Sequence, residues 1–309
     1  MDYPVPLLEM TFGDNFSSAL PLVSVIVPSF NHRRFVGETI NSILCQTYSH
    51  IQLIVIDDGS TDGSVEFIAA LAEQHSFEFI AQTNVGLIAT FNRAKKLVRG
   101  KYVSLCASDD FYHPSKIERL VNFLESHSDY ALVHSKIILV DEESKETKRI
   151  DEHCPSGHVF GPLLRGDFHV NGLSALFRAD VYRQFEYRPF YIEDWYMWLR
   201  IAERYPFGYV DEYLAYYRRH GSNMSGNVDK MMASQKSILD CFNDSAEYPR
   251  AIVRWREKWF NYYAAQLDPA SRSKAFTLGC EILSQHHWSF RVLKGWFRWF
   301  WSSIRAVFQ

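Results

Sequence analysis

The sequence predicts an α/β fold: a mostly parallel sheet flanked by helices, with a C-terminal helical extension. Three observations carry this expectation. Short β-branched runs at residues 23–27 and 52–56 end in polar turns. A segment of helical spacing lies between them, and the strand and helix alternation then repeats. From about Asp229 onward strand signals give way to helical patterns rich in Trp and Tyr.

Each element has its own reason. The first run stops at Pro28 and the second at Asp57-Asp58-Gly59, so both read as buried parallel strands. Between them Phe35, Ile40, Ile43 and Leu44 fall near helical spacing, which gives a crossover helix over 34–46. Helices are expected over 64–73 and 87–98, and strands over 77–81 and 102–106. Beyond Pro114 a helix runs to His127, followed by a β-rich run over 131–140 and a charged, hairpin-like stretch over 141–148. A loop rich in Gly, Pro and His (153–166) leads to an apolar strand over 173–177. The chain therefore divides into an N-terminal extension (1–20), an α/β domain (21–225) and a helical region (226–309).

Composition narrows the function. The 309 residues suffice for one α/β domain and an appendage. A formal net charge of -3 argues against a nucleic-acid binder, so no nucleic-acid partner is expected. Cys45, Cys106, Cys154, Cys241 and Cys280 are scattered without a C-x-x-C pair, which fits a reducing, cytosolic compartment. The start of the chain lacks the basic and apolar regions of a signal peptide, and no run of about 20 apolar residues occurs.

In open α/β sheets, ligands bind beyond the carboxyl ends of the strands. Standing there are Ser29, Phe30 and Asn31, then Asp57 and Asp58, then Ser108, Asp109 and Asp110. Two acidic pairs facing one crevice suit a divalent cation that neutralises a diphosphate. For Asp109 and Asp110 the alternative is an ordinary helix cap, supplied by Ser108 or one of the acids. Asp57 through Asp62 reads either as a turn with Thr61 or Asp62 capping a helix, or as a base-binding loop. In the latter, Asp58 accepts an imide N–H and Phe30 lies against the ring; in the former, Phe30 is core. Glu193 and Asp194 open a helix, where they either complement its dipole or supply a general base. A base there needs burial or a neighbouring carboxylate to raise its pKa. Arg218, Arg219 and His220 form either a surface loop or contacts to a pyrophosphate and a metal.

Taken in order, these pieces resemble the family-2 glycosyltransferases with the GT-A fold, of the inverting, bacterial surface-polysaccharide type. The stretch from Val23 to Asn31, with Pro28, resembles the opening strand and nucleotide loop. Gln46-Thr47-Tyr48, Asp57 through Asp62, Asn84-Val85-Gly86, Asn92 and Gly100-Lys101-Tyr102 continue the series. The resemblance covers roughly residues 21–225 and implies sugar transfer, with inversion, from a nucleoside-diphosphate donor to an acceptor hydroxyl. UDP is favoured by analogy. The resemblance also implies donor contacts at Pro28, Phe30, Asn31, Asp57, Asp58, Asn84, Asn92, Ser108, Asp109 and Arg218. Asp194, beside Glu193, would be the base, and Mn2+ or Mg2+ would be held by Asp110, Asp109 and His220. Because Ala107 and Ser108 stand where many members carry another acid, the metal is expected chiefly on Asp110, with Asp109 touching the ribose. Phe91 stands before Asn92 where Arg is frequent, which removes one phosphate contact. A nucleotidyltransferase would instead show a Gly-rich basic loop after the first strand, and an inactive scaffold would not need Asp109, Asp110 and Asp194 together.

The tail over 288–309 carries Arg291, Lys294, Arg298 and Arg305 on one helical stripe, with Ser302 filling the gap. Trp288, Val292, Leu293, Trp296, Phe297, Trp299, Phe300, Trp301, Ile304 and Phe308 cover the remainder. This pattern reads either as a helix in the headgroup layer of an anionic membrane or as one packed on the catalytic domain or a second subunit. The membrane reading places the protein in the cytoplasm, peripheral on the inner face of the plasma membrane. Its acceptor would be lipid-linked, such as a polyprenyl-diphosphate oligosaccharide.

Overall fold

The computed structural model describes residues 20–221, 223, 226–284 and 289–307. Its first half alternates β1 (Val23–Ser29), α1 (Val36–Leu44), β2 (Ile51–Asp57), α2 (Ser64–His75), β3 (Glu78–Ala81), α3 (Leu87–Ala94) and β4 (Tyr102–Leu105). These four strands pair in the order β3-β2-β1-β4, all parallel. Both faces of the sheet are covered, which is why apolar residues run consecutively in the strands, as over Val25–Val27 and Leu53–Ile56, rather than at alternate positions alone. Val25 and Val27 pack with Ile40 and Ile117, while Ile26 and Ile54 pack on the other side with Phe91 and Trp198. Fully burying each such side chain contributes about 1.5–3 kcal/mol.

The second half adds β5 (Phe111–Tyr112), α4 (Lys116–Ser126), β6 (Leu132–Val140), β7 (Glu146–Ile150), α5 (Phe160–Leu164), β8 (Leu176–Arg178), α6 (Ala179–Gln184), α7 (Glu193–Ala202) and β9 (Phe207–Arg218). Here the sheet becomes mixed: β8 runs antiparallel to β4 and β6, β9 parallel to β6, and β5 and β7 antiparallel on β9 and β6. Two expected elements change shape. The helix over 87–98 ends at Ala94 and closes with a tighter turn at Lys95–Leu97. The strand over 173–177 shrinks to β8, because the Asn171 side chain accepts the Leu173 N–H and winds Gly172–Ser174 into a short turn.

Four helices follow: α8 (Val228–Asp240), α9 (Tyr248–Ala264), α10 (Pro269–Ser284) and α11 (Phe290–Val307). Phe260, Tyr263, Leu278, Ile282 and Val292 form a separate apolar core between α9, α10 and α11. Small residues let these helices close. A Cβ at Gly279 would lie 2.5 Å from the Trp296 ring, and one at Gly295 would lie 2.4 Å from Phe260. Val292 is fully buried, Trp296 and Trp299 are half-buried, and the Trp299 indole donates to the Arg272 carbonyl.

The packed reading of the tail thus holds for part of it: one side of α11 docks, whereas Phe290, Leu293, Phe297, Phe300 and Trp301 remain exposed. Ser302 is buried against its own helix, its hydroxyl bonded to the Trp299 carbonyl. Trp288 and Phe308, as well as the expected boundary at Ser225, lie outside the described residues. No described helix is long and apolar enough to cross a membrane.

Candidate active site

Register brings the strand ends together, with Ser29 beside Asp57 and Ile26 beside Leu105. The loops after β1 and β2 are stitched to each other. Asn31, in the left-handed region at φ 55°, donates its N–H to the Ser60 hydroxyl and accepts the Thr61 N–H on Oδ1. Asp57 is fully buried and accepts from the Ser29 hydroxyl and from the Ser60 N–H and hydroxyl. It therefore organises the loop, and the expected donor contact at Asp57 has no oxygen turned to the crevice. Asp62 accepts the Arg33 N–H and the Ser64 N–H just ahead of α2, whose cap position is Gly63, so Asp62 ties the loop after β1 to the start of the helix.

Asp58 spends its carboxylate on the next turn. It accepts from Gln82 Nε2 and from the Val85 and Gly86 N–H groups, each at 2.8 Å. Gly59 is needed at this point: its φ is +81°, and a Cβ would lie 2.7 Å from the Asn84 nitrogen. Phe30 is not core; it is 45% exposed, at the lip of the crevice.

The loop from β4 to β5 carries Ser108, Asp109 and Asp110, all buried. None caps α4, whose first turn follows Ser115. The Thr39 hydroxyl holds the loop by donating to the Ser108 and Asp110 carbonyls. Asp109 Oδ2 meets His220 Nε2 at 2.9 Å and Asn223 Nδ2 at 3.3 Å, and its Oδ1 lies 3.9 Å from His32 Nδ1. Asp110 Oδ1 accepts the Arg218 N–H at 2.8 Å. The Arg218 guanidinium, 1% exposed, donates to the carbonyls of Asp109, Asp141 and Glu142, to the Ser144 hydroxyl and to Glu38 Oε2. Arg218 is thus an internal latch, and its donors are spent before any pyrophosphate could reach them.

One ligand atom from each of His32, Asp109 and His220 lies within 4.8 Å of the others. Two imidazoles and a carboxylate fit a divalent transition ion such as Mn2+ better than Mg2+, which prefers oxygen. The cluster gathers on Asp109, because the Arg218 N–H pins one oxygen of Asp110 beside it. His32, missed in the sequence, directly follows Asn31 at the nucleotide loop. Burial lowers its pKa, with His220 adding to that and Asp109 opposing it, which favours the neutral, ligating ring. Burial and the adjacent Asp109 charge raise the Asp110 carboxyl well above the carboxylate range, against the Arg218 N–H and guanidinium. A bound cation would reverse that balance.

Glu193 and Asp194 open α7. Both are partly exposed to a deep cavity yet enclosed by its walls. Burial, with the Asp194 charge second, pushes Glu193 up to about 8. Burial also raises Asp194, against N–H groups that include those of Trp195 and Gly172. The Asp194 Oδ2 faces Gly172, where a Cβ would stand 3.6 Å away. Desolvation therefore outweighs the helix dipole here. His169, also missed, lines the same cavity, with its Nδ1 3.8 Å from Glu152.

These loops enclose a cavity of about 1380 Å³. Pro28, Phe30, Asn31, Asp58, Asn84 and Ser108 line one end, and Asp109, Asp110, Glu193 and Asp194 line it further in. Asp57, Asn92, Arg218 and His220 stand behind its wall. Asn92 keeps its Oδ1 buried without a hydrogen-bond partner, while Phe91 reaches the cavity stacked on Tyr187 with ring centroids 4.8 Å apart. The far end is walled by α9 and α11.

Comparison with known proteins places this geometry. A mannosyltransferase of Pyrobaculum calidifontis, PcManGT, solved with GDP-Man and Mn2+, superposes with a TM-score of 0.57 at 14% identity, covering 94% of this chain and 88% of its own. S. aureus TarS 1-349, solved with UDP-GlcNAc, superposes at 0.63 with 16% identity, covering 84% and 80%. At such identities the likeness speaks for the fold, which is GT-A. An uncharacterised glycosyltransferase of Haemophilus influenzae is 30% identical over 220 residues, 66% of this chain and 68% of the relative. Another, from Rickettsia felis, is 30% identical over 218 residues, but this chain spans just 36% of its length. The family model for "Glycosyl transferase family 2" matches residues 24–186, the stretch that builds the parallel strands and their acidic loops. The chain belongs to glycosyltransferase family 2, whose enzymes move a sugar from a nucleoside-diphosphate donor to an acceptor.

Proposed function

We propose that the protein is an inverting transferase that uses a UDP-sugar and acts on a hydroxyl of a lipid-linked glycan. The observation that carries this reading is the meeting of Asp58, Asp109, Asp110 and Asp194 around one cavity. Phe30 is free to lie on the base, and three donors on Asp58 leave about one lone-pair direction for an imide N–H. A divalent cation held by His32, Asp109 and His220, with Asp110 beside them, would supply the positive charge that a departing diphosphate needs. The Mn2+ bound by PcManGT and the UDP-GlcNAc bound by TarS support these choices of ion and nucleotide.

Asp194 takes the proton of the acceptor hydroxyl as that oxygen bonds to the anomeric carbon. The bond from carbon to the diphosphate oxygen breaks on the opposite face, so the configuration inverts. Burial in the cavity wall keeps Asp194 basic enough for this. Residues 21–225 form the catalytic domain, 1–20 an extension, and 226–309 the helical region. The exposed aromatic face of α11 lies in the headgroup layer of the inner leaflet, on the cytoplasmic side.

The test is a donor screen with purified protein and Mn2+ or Mg2+, following release of free nucleoside diphosphate. UDP release from one UDP-sugar, dependent on the cation, is expected. Preference for a GDP-sugar would overturn the nucleotide assignment, and retention of configuration in the product would overturn the single displacement.

A further inference from the structure

The cavity does not end at Asp194. Its far wall carries Arg254, Lys258, Arg291, Lys294 and Arg298. The last three share one stripe of α11, and docking of Val292, Trp296 and Trp299 onto α9 and α10 turns that stripe toward the cavity. This differs from the membrane reading of the tail, in which the stripe would meet lipid headgroups; of its cations, Arg305 alone is off the cavity wall.

Three cations elsewhere in the helical region meet acids: Lys236 with Asp240, Arg256 with Glu281 and Lys274 with Asp229. Along this wall Arg254 approaches Asp167 at 3.9 Å. Among the described residues, Lys258, Arg291, Lys294 and Arg298 have no ion pair with a carboxylate. Glu257, next to Lys258, also lines the cavity and accepts the Ser289 hydroxyl. Like charges gathered on one concave surface repel each other and raise the local affinity for an anion. The opposite end of the cavity is lined by carboxylates and holds a diphosphate only through a cation, whereas this end takes one directly, with guanidinium forks matched to phosphate.

We propose that this wall binds a phosphate or diphosphate group carried by the acceptor, whose sugar end then reaches Asp194. The proposal rests on the sugar-transfer reading and adds the site that holds the acceptor's phosphate. A membrane headgroup would offer the same chemistry. The acceptor is favoured because these cations line the cavity that Asp194 lines, while the exposed Phe290, Phe297 and Trp301 do not.

The experiment titrates the full chain with geranyl diphosphate and with geraniol, in EDTA so that no cation holds the diphosphate at the donor end. The diphosphate is expected to bind at least about tenfold more tightly than geraniol. R291Q/K294Q/R298Q should lose about tenfold in affinity for it, and R291K/R298K, which keeps the charges and gives up the forks, should lose less than that. All three positions are exposed, so folding is not at stake, and UDP affinity with Mn2+ measured on the same preparations reports the donor end separately. Loss of UDP binding in the wild type would sink the donor reading while leaving the diphosphate titration to decide the wall. Equal binding of geraniol, or undiminished diphosphate binding by the triple variant, would overturn the proposal. So would a triple variant that loses phosphatidylglycerol vesicles yet keeps the diphosphate, since its cations would then be reading headgroups.

Discussion

Two regions face each other across one cavity, and they treat their polar groups differently. In the strand-end loops, Asp57 and Asp58 each accept three donors, and Arg218 donates to five acceptors. On the helical wall, Lys258, Arg291, Lys294 and Arg298 stand without a carboxylate partner among the described residues. A satisfied buried network is rigid and keeps its shape with or without a ligand. Exposed cations without a carboxylate partner become ordered by whatever anion arrives. The strand-end loops are thus preorganised, and the helical wall is poised to be ordered by an anion.

The largest effect should come where the two regions meet. Asp194→Asn is expected to lower kcat by about 10³-fold with UDP affinity unchanged, measured by UDP release and by nucleotide titration. Undiminished turnover would remove Asp194 from the reaction. Next, Arg218→Met should cost about 3 kcal/mol in denaturant unfolding, because it leaves the buried Asp109 carbonyl and those of Asp141 and Glu142 without their donor. The wall variant R291Q/K294Q/R298Q should stay within about 0.5 kcal/mol of wild type. Equal losses in the two would erase the distinction between a built network and a waiting one. His220→Ala should then weaken Mn2+ binding by about 10–100-fold, read by electron paramagnetic resonance titration.

A smaller effect concerns pH. Glu193 titrates near 8 in the fold against an ordinary 4.5. Between those values the native state holds more protons than the unfolded chain, so this group's contribution to stability falls as pH rises. Transfer needs the carboxylate pair deprotonated, so kcat/KM should rise over the same interval. A rate that is flat above about pH 6 would show that the pair is already ionised. The smallest change in stability belongs to F290S/F297S/W301S. These side chains are exposed, so unfolding should shift by less than about 0.5 kcal/mol. Binding to anionic vesicles should nevertheless drop about tenfold, read by sedimentation.

The sequence by itself determined the alternation of strands and helices and the placement of acids at strand ends. Both are local properties: apolar runs demand burial, and a strand must end where its polar turn begins. It also determined that Arg291, Lys294 and Arg298 share a stripe, since helical spacing alone decides that. Where the stripe points was decided by tertiary structure, through Gly279 and Gly295 admitting Trp296 and Phe260 at close range. Tertiary structure also turned Arg218 from a donor contact into a latch and Asp57 into a loop organiser, and it brought His32 to Asp109 and His220. Those roles depend on which groups from distant loops arrive beside a side chain, and no local pattern of residues carries that information.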